Sequence, residues 1–113
     1  MLKVLLLKSR SEVGASVITE AELRLGAAKS ASPAKTLQLM ENFLRPLTII
    51  EFSSLDAAAY AMVRAKLESA GKPIGPLDTL IAGQAVARKL VLVPNNEREF
   101  ARVSSLRLEN WAR

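Results

Sequence analysis

Residues 75–93 read Gly-Pro-Leu-Asp-Thr-Leu-Ile-Ala-Gly-Gln-Ala-Val-Ala-Arg-Lys-Leu-Val-Leu-Val and predict a helix that runs directly into a strand. Pro76 predicts the start of the helix, because proline is favoured at the first helical position. Arg88 and Lys89 predict its end, where the helix dipole favours cations. The four apolar residues 90–93 then predict a short buried strand. The small residues at 82, 83 and 85 predict that this helix approaches a sheet closely.

The rest of the chain alternates between strand-like and helix-like patterns in the same way. Further strands are predicted at residues 3–7, 15–18 and 47–52, and a terminal one around Leu106, Leu108 and Trp111. Further helices are predicted to begin near Thr19, at Ser32–Pro33, at Ser53, where Asp56 completes a capping box, and at Glu97, the last of these running to Arg102. This alternation predicts one α/β domain over residues 1–113, with a mostly parallel sheet that is covered on both sides.

Composition excludes several classes of chemistry. The chain has 113 residues, a formal net charge of +5, and neither cysteine nor histidine. Disulfide frameworks, thiolate catalysis, histidine-bound zinc and Ser-His catalysis are therefore excluded. The apolar run Val4–Leu7 is too short to span a membrane, so we expect a cytoplasmic protein. The positive charge favours polyanionic partners, although it is also an ordinary charge for solubility.

Polar residues cluster after the predicted strands, where ligands of parallel α/β sheets bind. They are Thr19, Glu20 and Glu22 after the second strand, Asp78 at a helix start, and Asn95, Asn96, Glu97 and Glu99 after residues 90–93. Carboxylate and amide oxygens are ligands for Mg²⁺ or Mn²⁺ rather than for zinc or copper. Such an ion can activate water and stabilise a phosphoryl-transfer transition state.

Each of these residues also has a purely structural interpretation. The helix dipole alone accounts for Asp78. A turn accounts for the pair Asn95 and Asn96. Glu20 and Glu22 point to different faces of a helix, so at least one of them is expected to be a solvated charge. The residues by themselves leave both interpretations open.

Three segments together resemble a known family. They read Ser-Val-Ile-Thr-Glu-Ala-Glu-Leu-Arg-Leu-Gly-Ala-Ala-Lys-Ser at 16–30, Gly-Pro-Leu-Asp-Thr-Leu-Ile-Ala-Gly at 75–83, and Leu-Val-Pro-Asn-Asn-Glu-Arg-Glu-Phe at 92–100. In order and spacing they resemble the VapC toxins of the PIN-domain ribonuclease family, from about residue 13 to residue 111. The resemblance implies a three-layer α/β/α sandwich. It also implies a metal-dependent endoribonuclease that cleaves RNA, often tRNA, is blocked by an antitoxin called VapB, and is commonly a homodimer.

The resemblance assigns roles to individual positions. Glu22 matches the conserved helix-start glutamate of the family, and Asp78 matches its essential metal-binding aspartate. Asn96 and Glu99 match the polar and acidic positions of its last motif. The implied catalytic residues are therefore Glu22, Asp78, Asn96 and Glu99, and the implied Mg²⁺ or Mn²⁺ ligands are Asp78, Glu22 and Glu99. Glu20 and Glu97 fall at variable positions and are bystanders, and Arg24, Arg88 and Arg98 are candidates to steer RNA.

The chain departs from the family pattern at its beginning. The family opens with a strand that ends in a metal-binding aspartate, and Leu7 stands at that position. Part of the N-terminal helical segment expected before Ser16 is missing, and Pro94 replaces a threonine. Loss of one anionic ligand should weaken metal binding. The alternative function is therefore a catalytically inactive PIN-fold protein that only binds antitoxin or dimerises. A small DNA-binding regulator fits the charge but lacks a helix-turn-helix pattern.

Overall fold

The computed structural model describes residues 6–9, 12–94 and 97–109. The strands are β1 (Leu6–Lys8), β2 (Val13–Ser16), β3 (Thr48–Ile50), β4 (Val91–Val93) and β5 (Arg107–Leu108). The helices are α1 (Val17–Ala28), α2 (Pro33–Leu44), α3 (Ser54–Ser69), α4 (Pro76–Arg88) and α5 (Glu97–Phe100). None of the helices in these ranges has the length and apolar character needed to cross a bilayer.

The five strands form one sheet in the order β3-β2-β1-β4-β5. β2 pairs with β3 in parallel, and β4 pairs with β5 in parallel. The central strand β1 is antiparallel to both of its neighbours, with Leu7 opposite Gly14 on one side and Leu92 on the other. Four strands therefore run one way and the middle strand runs the other way. This confirms the predicted mostly parallel sheet. The strand patterns did not predict that β1 is reversed, although the four-residue connection between β1 and β2 is too short for the crossover that parallel strands require.

Helices cover both faces of the sheet, as expected for three layers. One core cluster joins α3, α4 and α5 to the sheet through residues such as Val63, Ile81 and Phe100. The other joins α1 and α2 to the opposite face and contains Ala15, Leu23, Met40 and Leu44. The neighbouring residues Ile49 and Ile50 of β3 pack against different clusters, because successive side chains of a strand point to opposite faces.

Several predicted boundaries shift by a few residues. The strand expected at 15–18 ends at Ser16, because the Ser16 side chain accepts a hydrogen bond from the Ile18 N–H at 3.0 Å and so starts α1. The strand expected at 47–52 is only Thr48–Ile50, and the helix from Glu97 ends at Phe100 instead of Arg102. Residues 3–5 of the predicted first strand and Trp111 of the predicted last strand lie outside the described residues.

Gly83 of α4 faces helix α3 rather than the sheet, which corrects the expectation from its small side chain. A Cβ atom added at Gly83 would lie 2.6 Å from Tyr60 Cα and 2.7 Å from Tyr60 N. These are backbone atoms, so a rotamer change cannot relieve the clash. The glycine therefore sets the distance between α3 and α4.

Substitution of Gly83 by alanine is expected to destabilise the fold by about 2 kcal/mol, because α3 and α4 must move apart to admit the methyl group. Urea unfolding followed by circular dichroism measures this change. The control is Gly26→Ala, at an exposed position inside α1, where the better helix propensity of alanine is expected to stabilise by about 0.5–1 kcal/mol. Equal effects of the two substitutions would contradict the close-contact explanation.

The capping box predicted at Ser53 and Asp56 is present at the start of α3. Asp56 is fully buried, and its carboxylate accepts a hydrogen bond from the Ser53 N–H at 2.7 Å. Arg88, in the last turn of α4, donates to the same carboxylate at 2.9 Å and to the Glu51 carbonyl at 2.9 Å. Arg88 therefore fastens the end of α4 to the start of α3.

Burial alone raises the pKa of Asp56. The hydrogen bonds from Arg88 and Ser53, together with the positive charge of Arg88, outweigh that effect and hold the pKa of Asp56 below its ordinary value. The hydrogen bond that Arg88 donates to Asp56 raises the pKa of Arg88 in turn. Asp56 and Arg88 are therefore both charged at neutral pH, and their ion pair gives Arg88 a structural role.

Candidate active site

Helix α1 carries the first predicted site residue. Ser16 ends β2 and caps α1, and it is fully buried. The cap fixes the first turn, which buries the Thr19 side chain, and half-buried Glu22 follows on the second turn. Glu20 forms an exposed ion pair with Arg24 at 2.8 Å on the same helix. This ion pair supports the interpretation of Glu20 as a bystander.

Asp78 lies in the first turn of α4 and is only 7% exposed. Gly75 precedes the helix as its N-cap, and a Cβ atom at Gly75 would lie 3.7 Å from Asp78 Oδ2. The carboxylate therefore folds back towards the helix N-terminus, where the dipole stabilises negative charge. The next residue, Thr79, donates from its hydroxyl to the Gly75 carbonyl at 2.8 Å. This geometry agrees with a structural role for Asp78.

The structure brings together the helices that carry Glu22 and Asp78, because α1 contacts α4 directly. Half-buried Glu97 and Glu99 lie on α5, which follows β4. Asn96, the remaining predicted catalytic residue, lies outside the described residues. Pro94 is buried at the end of β4 and has neither a hydroxyl nor an N–H to donate to a ligand. The last motif therefore lacks the donor that a threonine would supply there.

Strand β1 (Leu6–Lys8) contains no acidic residue, so it offers no counterpart to the first family aspartate. Leu7 lies in the middle of β1, is 1% exposed, and packs in the core cluster with Leu92 and Ile81. β1 begins where β4 ends, because Leu6 pairs with Val93. Because β1 is antiparallel to β4, its first residue lies at the edge of the sheet where the last residue of a parallel strand would lie. No residue of Leu6–Lys8 supplies a carboxylate to that edge.

Within residues 6–9, 12–94 and 97–109, no three acidic side chains come close enough together to hold a metal ion. The predicted ligand set of Asp78, Glu22 and Glu99 is therefore not assembled as a group of three. A magnesium ion bound by fewer carboxylates needs water or substrate phosphate oxygens for its other positions. The described residues do not fit a self-contained metal site.

Of the cations expected to steer RNA, two form ion pairs within the fold. Arg24 pairs with Glu20, and Arg88 pairs with buried Asp56. The pairing of Arg24 with Glu20 is readable from their i, i+4 spacing on one helix. The pairing of Arg88 with Asp56 is not, because only the packing of α3 on α4 joins them. Arg98 is exposed on α5.

Comparison with known proteins identifies the family. The model of the PIN domain matches residues 2–106. The chain is 40% identical over 97 residues to the tRNA(fMet)-specific endonuclease VapC of Shigella flexneri, a match that covers 86% of this chain and 74% of that protein. It is 46% identical over 96 residues to ribonuclease VapC2 of Haemophilus influenzae, covering 85% and 73% of the two chains.

Solved structures give the same result. A chain in the crystal structure of DNA-bound VapBC from Salmonella typhimurium superposes with a TM-score of 0.83 at 41% identity, covering 86% of this chain and 74% of that one. VapBC-1 from nontypeable Haemophilus influenzae superposes with a TM-score of 0.86 at 27% identity, covering 95% and 80%. The resemblance inferred from the three motifs is thereby confirmed: this chain belongs to the PIN-domain family and, within it, to the VapC ribonucleases.

Proposed function

We propose that this chain is the toxin of a VapBC-type toxin–antitoxin pair and that it cleaves RNA as an endoribonuclease, with tRNA as the first substrate class to test. The observation that carries the proposal is the buried carboxylate of Asp78 at the start of α4, a helix in contact with the helix of Glu22. These are the acidic residues that the family motifs assign to catalysis. The relatives named as ribonucleases are 40% and 46% identical to this chain.

VapC ribonucleases of the PIN-domain family generally depend on a divalent metal, and Mg²⁺ or Mn²⁺ is the proposed cofactor. Glu22, Asp78 and Glu99 are the proposed ligands, and Asn96 is the proposed polar partner. Because these carboxylates do not form a complete group of three, we expect weak metal affinity in the absence of RNA.

The purified chain is expected to cut total tRNA in millimolar Mg²⁺ or Mn²⁺ and to stop when EDTA is added. Denaturing gels measure the cleavage, and a circular dichroism spectrum taken in EDTA checks that removal of the metal does not unfold the chain. Cleavage that continues at the same rate in EDTA would reject the metal proposal and point to a contaminating nuclease.

A second function is favoured by the reversed strand β1, which supplies no carboxylate. In this alternative the chain keeps the PIN fold and binds an antitoxin without cutting RNA. One measurement, RNA cleavage by the folded chain, distinguishes the two functions. A chain that binds a VapB-type partner but cleaves no RNA with either Mg²⁺ or Mn²⁺ would support the binding function.

The proposed partners follow from the same family. The structural neighbours are VapBC assemblies, so the proposed protein partner is a VapB-like antitoxin. A homodimer is proposed as the working assembly, and the cytoplasm, where tRNA is found, as its location. Co-expression with the antitoxin followed by light scattering on a sizing column tests both the partner and the dimer.

A further inference from the structure

A groove of about 420 Å³ lies at the end of the sheet where β4 begins. We call it the basic groove, and its cations are Lys8, Arg88, Lys89 and Arg107. Of the described residues that line it, none is acidic and none is aromatic. Its ligand should therefore be an anion that is held by charge rather than by stacking.

The sheet topology assembles these cations from three parts of the chain. Lys8 ends β1 and pairs with Val91, the first residue of β4, which pairs in turn with Arg107, the first residue of β5. Lys89 follows α4 directly, and Leu90 separates it from β4. Because β1 is reversed, its last residue lies beside the first residues of β4 and β5. The basic groove is thus at the end of β4 opposite to the end that leads to α5 and Glu99.

Two of the four cations have no ion-pair partner among the residues that the structure describes. Lys8 pairs with Glu109 at 3.1 Å, and Arg88 pairs with Asp56. The exposed side chains of Lys89 and Arg107 make neither a hydrogen bond nor an ion pair with any residue in the described ranges. The groove therefore carries a net positive charge that an incoming anion can use.

Lys89 has a backbone conformation that is unusual for lysine, with φ 56° and ψ 41°. The N–H of Lys89 donates to the Val86 carbonyl, and the N–H of Leu90 donates to the Ala85 carbonyl, so α4 ends in a Schellman motif. Glycine is the usual residue at this position, because a left-handed backbone costs other residues free energy. Arg88 already places a positive charge in the last turn of α4, where the helix dipole favours cations. Capping of α4 therefore does not by itself explain why lysine rather than glycine occupies this position.

We propose that the basic groove binds the phosphate backbone of RNA, away from the carboxylates of the candidate active site. The proposal rests on the proposed function, in which RNA is the substrate. Lys89 and Arg107 contact phosphate oxygens, and the ion-paired Lys8 and Arg88 add to the local positive potential. Because no aromatic side chain among the described lining residues is available for base stacking, binding is largely independent of sequence and strongly dependent on salt.

The test measures binding of labelled total tRNA in EDTA, so that cleavage does not interfere. The double variant Lys89→Glu/Arg107→Glu is expected to raise Kd roughly ten-fold or more near 0.1 M salt. The slope of log K against log salt should flatten by about 0.7 for each phosphate that the variant no longer neutralises. The control is Lys35→Glu/Arg45→Glu, which also replaces one exposed lysine and one exposed arginine, near the two ends of α2. Equal weakening by both double variants, or none by the first, would overturn the proposal.

A single variant, Lys89→Gly, separates binding from folding. Glycine removes the charge and relieves the left-handed backbone, so Tm is expected to stay constant or to rise by up to about 5 °C, while tRNA binding weakens. Lys89→Gly that binds tRNA as tightly as the wild type would contradict a phosphate contact at this residue.

Different results would reject the proposal of the basic groove and the proposal of ribonuclease activity. Groove-dependent binding by a chain that cuts no tRNA would reject the ribonuclease but support the groove. Cleavage by the wild type, together with unchanged binding by the groove variants, would reject the groove but support the ribonuclease.

Discussion

Replacing Asp78 by asparagine is expected to reduce tRNA cleavage at least about 100-fold, which is the scale of the loss when one catalytic group is removed. Asparagine keeps the size of the side chain and can still accept hydrogen bonds at the start of α4. It loses the negative charge near the helix N-terminus, and the interaction of that charge with the helix dipole contributes about 0.3–1 kcal/mol. The fold should therefore survive a change that removes the activity. Initial cleavage rates on denaturing gels and thermal melts of the same samples measure the two effects.

The matched control for Asp78→Asn is Glu97→Gln, which also turns a carboxylate into an amide. Glu97 lies at the start of α5, at a position that the family resemblance implies to be variable. Its substitution should leave the cleavage rate within about two-fold of the wild type, since it removes only a charge at the start of a helix. If Asp78→Asn kept half of the activity, the role assigned to Asp78 by the family motif would be wrong, and its carboxylate would serve only the helix start.

Substitution of Asp56 by alanine is expected to destabilise the fold by about 2–3 kcal/mol. The change removes the capping box of α3 and leaves Arg88 without its carboxylate. Arg88 is 37% exposed and can turn towards water, so the cost stays below that of an orphaned charge in a dry core. Chemical unfolding in urea measures the difference from the wild type.

The Arg64–Glu68 pair provides a control of similar geometry. Its ion pair spans 2.8 Å, close to the 2.9 Å of Arg88 and Asp56, but both of its side chains are about half exposed. Glu68→Ala is therefore expected to cost at most about 0.5 kcal/mol. A similar loss in Glu68→Ala and Asp56→Ala would show that burial does not set the strength of these pairs.

The pH dependence of the Asp56 effect has a definite sign. Because the folded-state pKa of Asp56 lies below the ordinary value of about 3.9, the folded chain binds fewer protons than the unfolded chain in that range. The stabilisation is complete above about pH 4 to 5 and is lost as the pH falls through the lowered folded-state pKa. The difference in Tm between the wild type and Asp56→Asn should therefore shrink in acid. A constant difference down to about pH 2 would contradict this linkage.

Sequence reasoning worked where a local signal decides the structure. Pro33, Pro76 and the Ser53–Asp56 capping box each mark a helix start that the structure confirms, because these signals act within one turn. The family motifs in turn identified the fold. Glu22 and Asp78, the acidic residues that the motifs imply for the site, lie on helices that contact each other. Boundaries of strands were less accurate, since the length of a strand depends on its neighbours in the sheet.

The failures concern contacts between distant parts of the chain. The reversal of Leu6–Lys8 is readable from the four-residue connection to β2, which is too short for the crossover that parallel strands need. Its place beside β4 is not readable, because that pairing joins parts of the chain that are more than 80 residues apart. Similarly, Lys89 and Arg107 are separated by a whole strand and helix in sequence, so their shared groove follows only from the pairing of β4 with β5. The close approach of Gly83 to Tyr60 depends on the packing of two helices. A small residue permits such an approach, but it does not determine whether the neighbour is a helix or a sheet.

The reversed central strand also has a consequence for the speed and order of folding. Ser9 donates from its N–H to the Glu12 carbonyl at 2.9 Å, so β1 and β2 form a local hairpin. Hairpins of this kind form in about 1–10 μs, whereas a parallel pair of strands forms only after the long loop of its crossover connection has closed. The middle of this sheet can therefore assemble from neighbouring residues before the chain has organised α4 and β4. Joining β4 to that hairpin, which requires closure of the long loop between β2 and β4, would then be the slow step.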